Sequence, residues 1–334
     1  MDRTALLHQW LAGLFPQRDF DVTVASADAS FRRYFRVRFS DDNSTRIVMD
    51  APPTHEDCRP FIQVAKLFEQ AGAQVPHVFE QDLAQGFLLL SDLGDTTYLS
   101  ALTPDNAADL YAEALGALAA IQAASRPDVL PHYDRALLLR ELELFPVWYI
   151  GRHKGITLSD KETAALYQVF DAILDVNLAE PKVFVHRDYH SRNLMLLPGT
   201  GTPGVLDFQD AVHGPLTYDL VSLLKDAYIE WDEDLTLDWL VRYWQAARQI
   251  GLPVREDFAD LHRDYEFMGA QRHIKVLGIF ARLYHRDGKD GYLQNMPLVM
   301  KYLRRTCERY DELHPLAKLL EKLDPRITDT GYSF

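Results

Sequence analysis

Three oxygen-bearing side chains, Asp188, Asn193 and Asp207, have the spacing in this chain that can do chemistry. They lie within Val183 to Asp210, VFVHRDYHSRNLMLLPGTGTPGVLDFQD. Asp188 and Asn193 are five apart, and Asp207-Phe208-Gln209 follows after a turn. Carboxylate and amide oxygens are the hard donors that Mg²⁺ takes alongside substrate phosphates. Asn193 and Asp207 suit that ion. Asp188 is then free to orient an acceptor hydroxyl and take its proton. H-R-D-x-x-x-x-N followed by a D-F-G-like Asp is a phosphoryl-transfer layout. An ordinary polar loop explains one such Asp, but not the ordered set.

The elements that must position these residues can be read around them. Val183, Phe184 and Val185 form a short lead-in strand, and His186 to Asn193 is a polar loop. Leu194 to Leu197 and Val205 to Phe208 are the arms of a β-hairpin, joined by a turn rich in Gly and Pro. Such a hairpin brings Asn193 and Asp207 together. Upstream, Leu7, Trp10, Leu11 and Leu14 recur at helical spacing. Phe31, Arg33, Phe35, Val37 and Phe39 alternate with polar residues as in a strand. Thr45 to Met49, Val78-Phe79 and Gly86 to Leu90 are further strands, with a helix from Glu56 to Ala71. Beyond Pro104 helical patterns dominate: Asn106 to Ala124, Asp134 to Ile150, Ser159 to Leu178, Leu235 to Ile250, Phe258 to Arg286, Pro297 to Leu313 and Pro315 to Leu323. The expectation is an α+β protein of two lobes with a ligand cleft at their boundary. The small β-rich lobe spans 1–92 and the larger helical lobe 93–334.

The 334 residues carry a net charge of −14. That balance argues against nucleic acid or an anionic membrane as the main partner. The two cysteines, Cys58 and Cys307, have no metal-ligand or redox spacing, as expected of reduced thiols in the cytoplasm. Asp2 and His8 interrupt the N-terminal helix, so it is not read as a signal peptide. No apolar run reaches membrane-spanning length.

With these residues in view, the chain resembles the aminoglycoside phosphotransferase and choline kinase branch of the protein-kinase-like fold, from about Ala25 to Leu313. The resemblance implies ATP and Mg²⁺ as cofactors, with Asp188 as base and Asn193 and Asp207 on the metal. It implies that the N-terminal lobe covers the nucleotide through Ser30, Arg32 and Arg33, and that Ser91, Asp92 and Leu93 form the adenine hinge. Gly214-Pro215-Leu216-Thr217-Tyr218-Asp219-Leu220 is similar to the G-P-x-x-Y-D-L segment of this branch, in which the Asp is structural. Only six residues separate Asp207 from Gly214, too few for an activation loop, so a small-molecule acceptor is favoured.

The chain departs from the pattern twice. No G-x-G-x-x-G precedes the first long strand; Ser26 to Arg33, SADASFRR, stands there. The usual strand lysine is also missing: Lys66 is the only lysine before Lys154, and Met49 occupies roughly the lysine position. Phosphate charge must then be met by Arg32, Arg33 or the metal.

Three stretches, V-M-D-A-P-P at Val48 to Pro53, D-F-Q-D at Asp207 to Asp210 and Q-R-H-I-K-V-L-G-I-F at Gln271 to Phe280, resemble the bacterial anomeric kinases of cell-wall recycling. That family phosphorylates N-acetylmuramate and N-acetylglucosamine at the 1-hydroxyl. The resemblance implies a small amino sugar as partner; His190, Arg192 and Asp210, in or beside the loop, are the residues expected to bind it, and the chain is expected to be a monomer that works without nucleic acid or membrane. One alternative is another acceptor: an aminoglycoside, choline or a homoserine-like hydroxyl. A cationic acceptor would need an acidic cluster such as Asp226, Glu230, Asp232, Glu233 and Asp234. A second alternative is a nucleotide-binding pseudokinase, consistent with the missing lysine and glycine loop.

Overall fold

The computed structural model describes residues 2–27 and 31–325. By packing, the chain divides into two compact units. The first is Met1–Ile121 with Asn193–Asp210, and the second is Gln122–Arg192 with Ala211–Phe334. A single boundary at residue 92 was the expectation; the packing division runs after Ile121 and adds the 193–210 hairpin to the first unit.

The first unit begins with α1 (Arg3–Leu14), then β1 (Phe20–Ala27), β2 (Arg33–Phe39), β3 (Thr45–Asp50), α2 (Cys58–Gln70), β4 (Val78–Asp82) and β5 (Phe87–Ser91). The strands form one antiparallel sheet in the order β1-β2-β3-β5-β4. Strand side chains alternate between faces. Phe35, Val37 and Phe39 of β2 share a core with Val48, Phe87 and Leu89, and Leu7 and Leu11 of α1 close it. Met49, Leu88 and Leu90 have the opposite parity and are buried on the other side. The β1 strand, FDVTVASA, was not anticipated. It is an edge strand exposed along much of its length, although Phe20 and Val22 alternate with Asp21 and Thr23 and pack against the core. Two helices follow, α3 (Tyr98–Ala101) and α4 (Ala107–Ala123).

The second unit contains α5 (Arg135–Leu142), a π-helical stretch over Phe145–His153, α6 (Asp160–Ala179) and β6 (Lys182–Val185). A continuous helix to Ile150 was expected. Pro146, at the start of the π-helical turn, has no N–H to continue the α ladder. A complete capping box starts α6, with Ser159 and Glu162 bonding each other's backbone N–H. Next come β7 (Leu194–Met195) and β8 (Gly204–Val205), which belong to the first unit. The backbone fastens them there. Val205 N–H donates to the Gln74 carbonyl at 2.7 Å, and Leu196 N–H donates to that of Thr96 at 2.8 Å.

The rest of the second unit is β9 (Val212–Pro215), paired antiparallel with β6, and then α7 (Tyr218–Leu224), α8 (Glu233–Gln249), α9 (Phe258–Asp287), α10 (Met296–Arg309) and α11 (His314–Leu323). The 30-residue α9 is buried almost continuously from Asp264 to Gly278. Gly278 permits this. A Cβ there would stand 2.6 Å from the carbonyl carbon of Leu144. Both cysteines are buried and free. Among the described residues no helix is long and apolar enough to cross a membrane.

Candidate active site

In the second unit, the loop His186 to Arg192 follows β6 directly. Arg187 takes a left-handed φ of 79°, rare for a side chain other than Gly. Three contacts hold it there. Asp219, at the start of α7, accepts the N–H of His186 at 2.6 Å and of Arg187 at 3.0 Å. Arg272 of α9 donates to the Arg187 carbonyl at 2.8 Å. The Arg187 guanidinium donates to Glu141 of α5 at 2.5 Å. Strained backbone of this kind persists where surrounding structure over-determines it, often at functional sites. The structural reading of Asp219 is borne out.

Glu141 is the centre of a buried network. It pairs with Lys275 Nζ at 3.0 Å and accepts from Gln271 at 3.2 Å and from the Tyr133 hydroxyl. Lys275 also donates to Tyr218 Oη at 2.7 Å. Arg272 and Lys275 are three apart on one face of α9. The Arg272 guanidinium reaches to 3.8 Å from Asp188 Oδ1. Burial pushes the Asp188 carboxyl up; Lys275, Arg272, His190 and Arg187 outweigh it and bring it down to about 2. Its side chain is still 44% exposed. An ionised, accessible carboxylate on a fixed loop can accept a proton from a bound hydroxyl.

Further along the loop, Asp226 accepts the N–H and hydroxyl of Ser191 at 2.9 and 2.6 Å, and the N–H of Tyr228 at 2.9 Å. His190 packs edge-on against Tyr228, and burial holds its imidazole below the ordinary value. The Arg192 guanidinium lies 4.3 Å from the Tyr228 ring centroid and 5.9 Å from that of Tyr292. The acidic cluster expected for a cationic acceptor is largely spent internally. Asp226 is tied to backbone and Ser191, Glu230 pairs with Lys301, and Glu233 pairs with Arg305 and Arg309.

In the first unit, the hairpin does bring Asn193 and Asp207 together. Asn193 Nδ2 lies 3.5 Å from Asp207 Oδ2, and Leu206 N–H donates to the Asn193 carbonyl at 2.9 Å. Asp207 also has a left-handed φ, 63°. That turn lets Phe208 bury fully against Phe61 and Phe68 of α2. Gln209 Nε2 donates to Asp207 Oδ1 at 2.9 Å and to Asp210 at 3.4 Å. Its buried Oε1 has no hydrogen-bond partner among the described residues. Asp210 is exposed. Among the described residues no three His, Cys, Asp or Glu side chains form a metal cage. Mg²⁺ needs none, since it binds through one or two protein oxygens plus phosphates and waters. The Asn193–Asp207 pair and the orphan Gln209 oxygen fit that donor set.

The expected nucleotide residues divide. Ser30 lies outside the described residues. Arg33 pairs in register with Asp50 and shares the α1 face with Phe35. Its guanidinium donates to the fully buried Asp50 carboxylate at 2.5 Å, and Arg3 binds the same carboxylate. The Arg32 guanidinium lies 3.8 Å from Glu56. Burial works against the Arg32 charge, but Tyr34, Asp207, Glu56 and Asp210 together hold it above its ordinary value. Met49 is buried and offers no donor. Asp92 receives two bonds from Arg36, at 2.6 and 2.9 Å, and caps the N–H of Gly94. Ser91 N–H is used by the His77 carbonyl at 2.9 Å, and Leu93 packs near Gly204 of the hairpin.

Sequence reasoning gave no role to Glu141, Arg187, Gln209, Tyr228, Arg272, Lys275 or Tyr292. Arg272 and Lys275 had a signal: two cations three apart, with Met268 and Ile279 on the same side of the helix. Glu141 had none, because its partners are far away in sequence.

Residues 21–261 match the model of the phosphotransferase enzyme family APH. An N-acetylmuramate/N-acetylglucosamine kinase from Neisseria meningitidis serogroup B is 50% identical over the whole of both chains. One of the same name from Pseudomonas aeruginosa is 51% identical over 91% of this chain and 88% of its own. A choline kinase structure from Streptococcus pneumoniae superposes with a TM-score of 0.64 at 12% identity, over 90% of this chain and 99% of that one.

Proposed function

We propose that this chain, which belongs to the phosphotransferase enzyme family, is an ATP-dependent kinase that phosphorylates the anomeric hydroxyl of N-acetylmuramate and N-acetylglucosamine. The observation that carries the acceptor is the relative of that name, half identical from end to end. The reading places the protein in peptidoglycan recycling, as a cytoplasmic monomer.

Asp188 is the base. It takes the proton of the sugar 1-hydroxyl as that oxygen bonds to the γ-phosphorus. The bond from the γ-phosphorus to the bridging oxygen breaks, and ADP leaves with the electron pair. A hemiacetal hydroxyl is more acidic than an ordinary alcohol, so a carboxylate suffices. Asn193 and Asp207 would hold Mg²⁺, whose charge offsets that of the phosphate oxygens. Arg32 faces the phosphates in place of the strand lysine, and Asp92 and Leu93 supply backbone groups to the adenine. His190, Arg192 and Asp210 bind the sugar. Phosphoryl transfer depends mainly on positioning and charge stabilisation, and a rigid loop such as 186–192 supplies positioning.

The test is ATP–Mg²⁺ turnover against N-acetylmuramate, N-acetylglucosamine, choline and an aminoglycoside. Turnover confined to the two sugars is expected. Turnover only with choline or the aminoglycoside overturns the acceptor. ATP binding without turnover on any of them overturns the enzyme reading in favour of a pseudokinase.

A further inference from the structure

Arg192 is an exposed cation in a chain of net charge −14, yet none of the ion pairs among the described residues involves it. Its neighbours behave differently. Arg187 is committed to Glu141, and Arg272 to Tyr218, the Arg187 carbonyl and the vicinity of Asp188. Arg192 instead rests on aromatic faces, at 4.3 Å from Tyr228 and 5.9 Å from Tyr292. Guanidinium stacking on a ring fixes the planar fork without using its donors. The support is itself built. Phe280 packs against both rings, at 6.3 and 5.2 Å. The buried Asp226 carboxylate ties the Tyr228 backbone to Ser191, the residue before Arg192. The result is a pre-aimed cation, hydrogen-bonded to the Tyr228 hydroxyl and paired with no carboxylate among the described residues, four residues beyond Asp188.

The two acceptors of the proposed reaction differ in one group. N-acetylmuramate carries a lactyl ether ending in a carboxylate, where N-acetylglucosamine has a hydroxyl. The geometry points to Arg192, held by Tyr228 and Tyr292, as the receptor for that carboxylate and so as the residue that sets the preference between the two sugars. The inference rests on the sugar-kinase reading. A planar fork binds a carboxylate through two parallel bonds, which an ammonium does not reproduce.

The experiment measures kcat/KM for N-acetylmuramate, its lactyl methyl ester and N-acetylglucosamine, with wild type, Arg192→Met, Arg192→Lys and Tyr228→Leu. In wild type the free acid should be preferred over its ester. Arg192→Met should lower the ratio of N-acetylmuramate to N-acetylglucosamine by about ten- to a hundredfold, the value of one charge-assisted hydrogen bond. Arg192→Lys and Tyr228→Leu should give intermediate ratios. An equal loss on all three sugars overturns the assignment. So does a raised KM for ATP with either acceptor, which would mean that Arg192 meets a donor phosphate. Wild-type protein inactive on both sugars would instead overturn the activity reading, a result distinct from an unchanged ratio.

Discussion

Arg272 Nη2 stands 3.8 Å from Asp188 Oδ1, while Nη1 of the same guanidinium bonds the carbonyl of Arg187. One side chain therefore fixes both the charge of the carboxylate and the backbone turn that aims it. Lys275 and Arg187 add to the field. With its carboxyl at about 2, Asp188 is ionised throughout the neutral range. Removing a cation must raise that value, so the acid limb of kcat/KM should move to higher pH in Arg272→Met and in Lys275→Met. The kcat of Arg272→Met should fall by about tenfold or more, a part of the roughly 10²–10⁴-fold that general-base catalysis supplies. Arg272→Lys should recover part of it. A loss of kcat with an unmoved acid limb would show that Arg272 only supports the fold.

Two adjacent arginines part at the start of β2. Arg33 shares a face with Phe35 and is bound to Asp50, whereas Arg32 pairs with Glu56 and feels the charges of Asp207 and Asp210. Arg32→Met should raise the KM for ATP by about ten- to a hundredfold, the worth of a charge-assisted hydrogen bond. Arg33→Met should lower the melting temperature, because the buried Asp50 carboxylate loses one of its two guanidinium partners among the described residues. Steady-state kinetics with varied ATP, together with thermal melts of both variants, checks the pair. Reversed effects would assign the phosphate contact to Arg33.

Gly278 marks where α9 touches the backbone of Leu144. Ala there would place Cβ at 2.6 Å from both the carbonyl carbon and the Cβ of that residue. Neither atom is the end of a flexible side chain, so helix or turn must shift. Overpacking of this kind costs about 1–3 kcal/mol. Urea denaturation of Gly278→Ala should show a lower midpoint than wild type. An unchanged midpoint would mean that the π-helical turn gives way freely.

Local signals carried much of the fold. Long periodic helices such as α4, α6 and α9 were legible because one helix holds its whole pattern. The Asn193–Asp207 approach was legible because a Gly- and Pro-rich turn leaves a hairpin little else to do. The face of Arg33 was legible, since the alternation groups it with Phe35, but its partner Asp50 lies on another strand and was not. The break at Pro146 was hidden by apolar residues that continue the helical spacing past it. The Glu141–Arg187–Lys275 network had no local signature, as its members come from α5, the 186–192 loop and α9. The Arg192 platform likewise joins a loop residue to Tyr228 and Tyr292, which nothing in the periodicity connects.

The central claim is transfer to an anomeric oxygen, and the product itself reports it. The measurement is proton-coupled ³¹P NMR of the product from N-acetylglucosamine, ATP and Mg²⁺, with selective decoupling of the sugar protons. A phosphate on the 1-oxygen has a single vicinal proton, so the account expects a sugar-phosphate doublet that collapses when the anomeric proton is irradiated. A triplet from phosphate on the 6-oxygen, or a doublet that collapses on irradiating a ring proton other than the anomeric one, would contradict it.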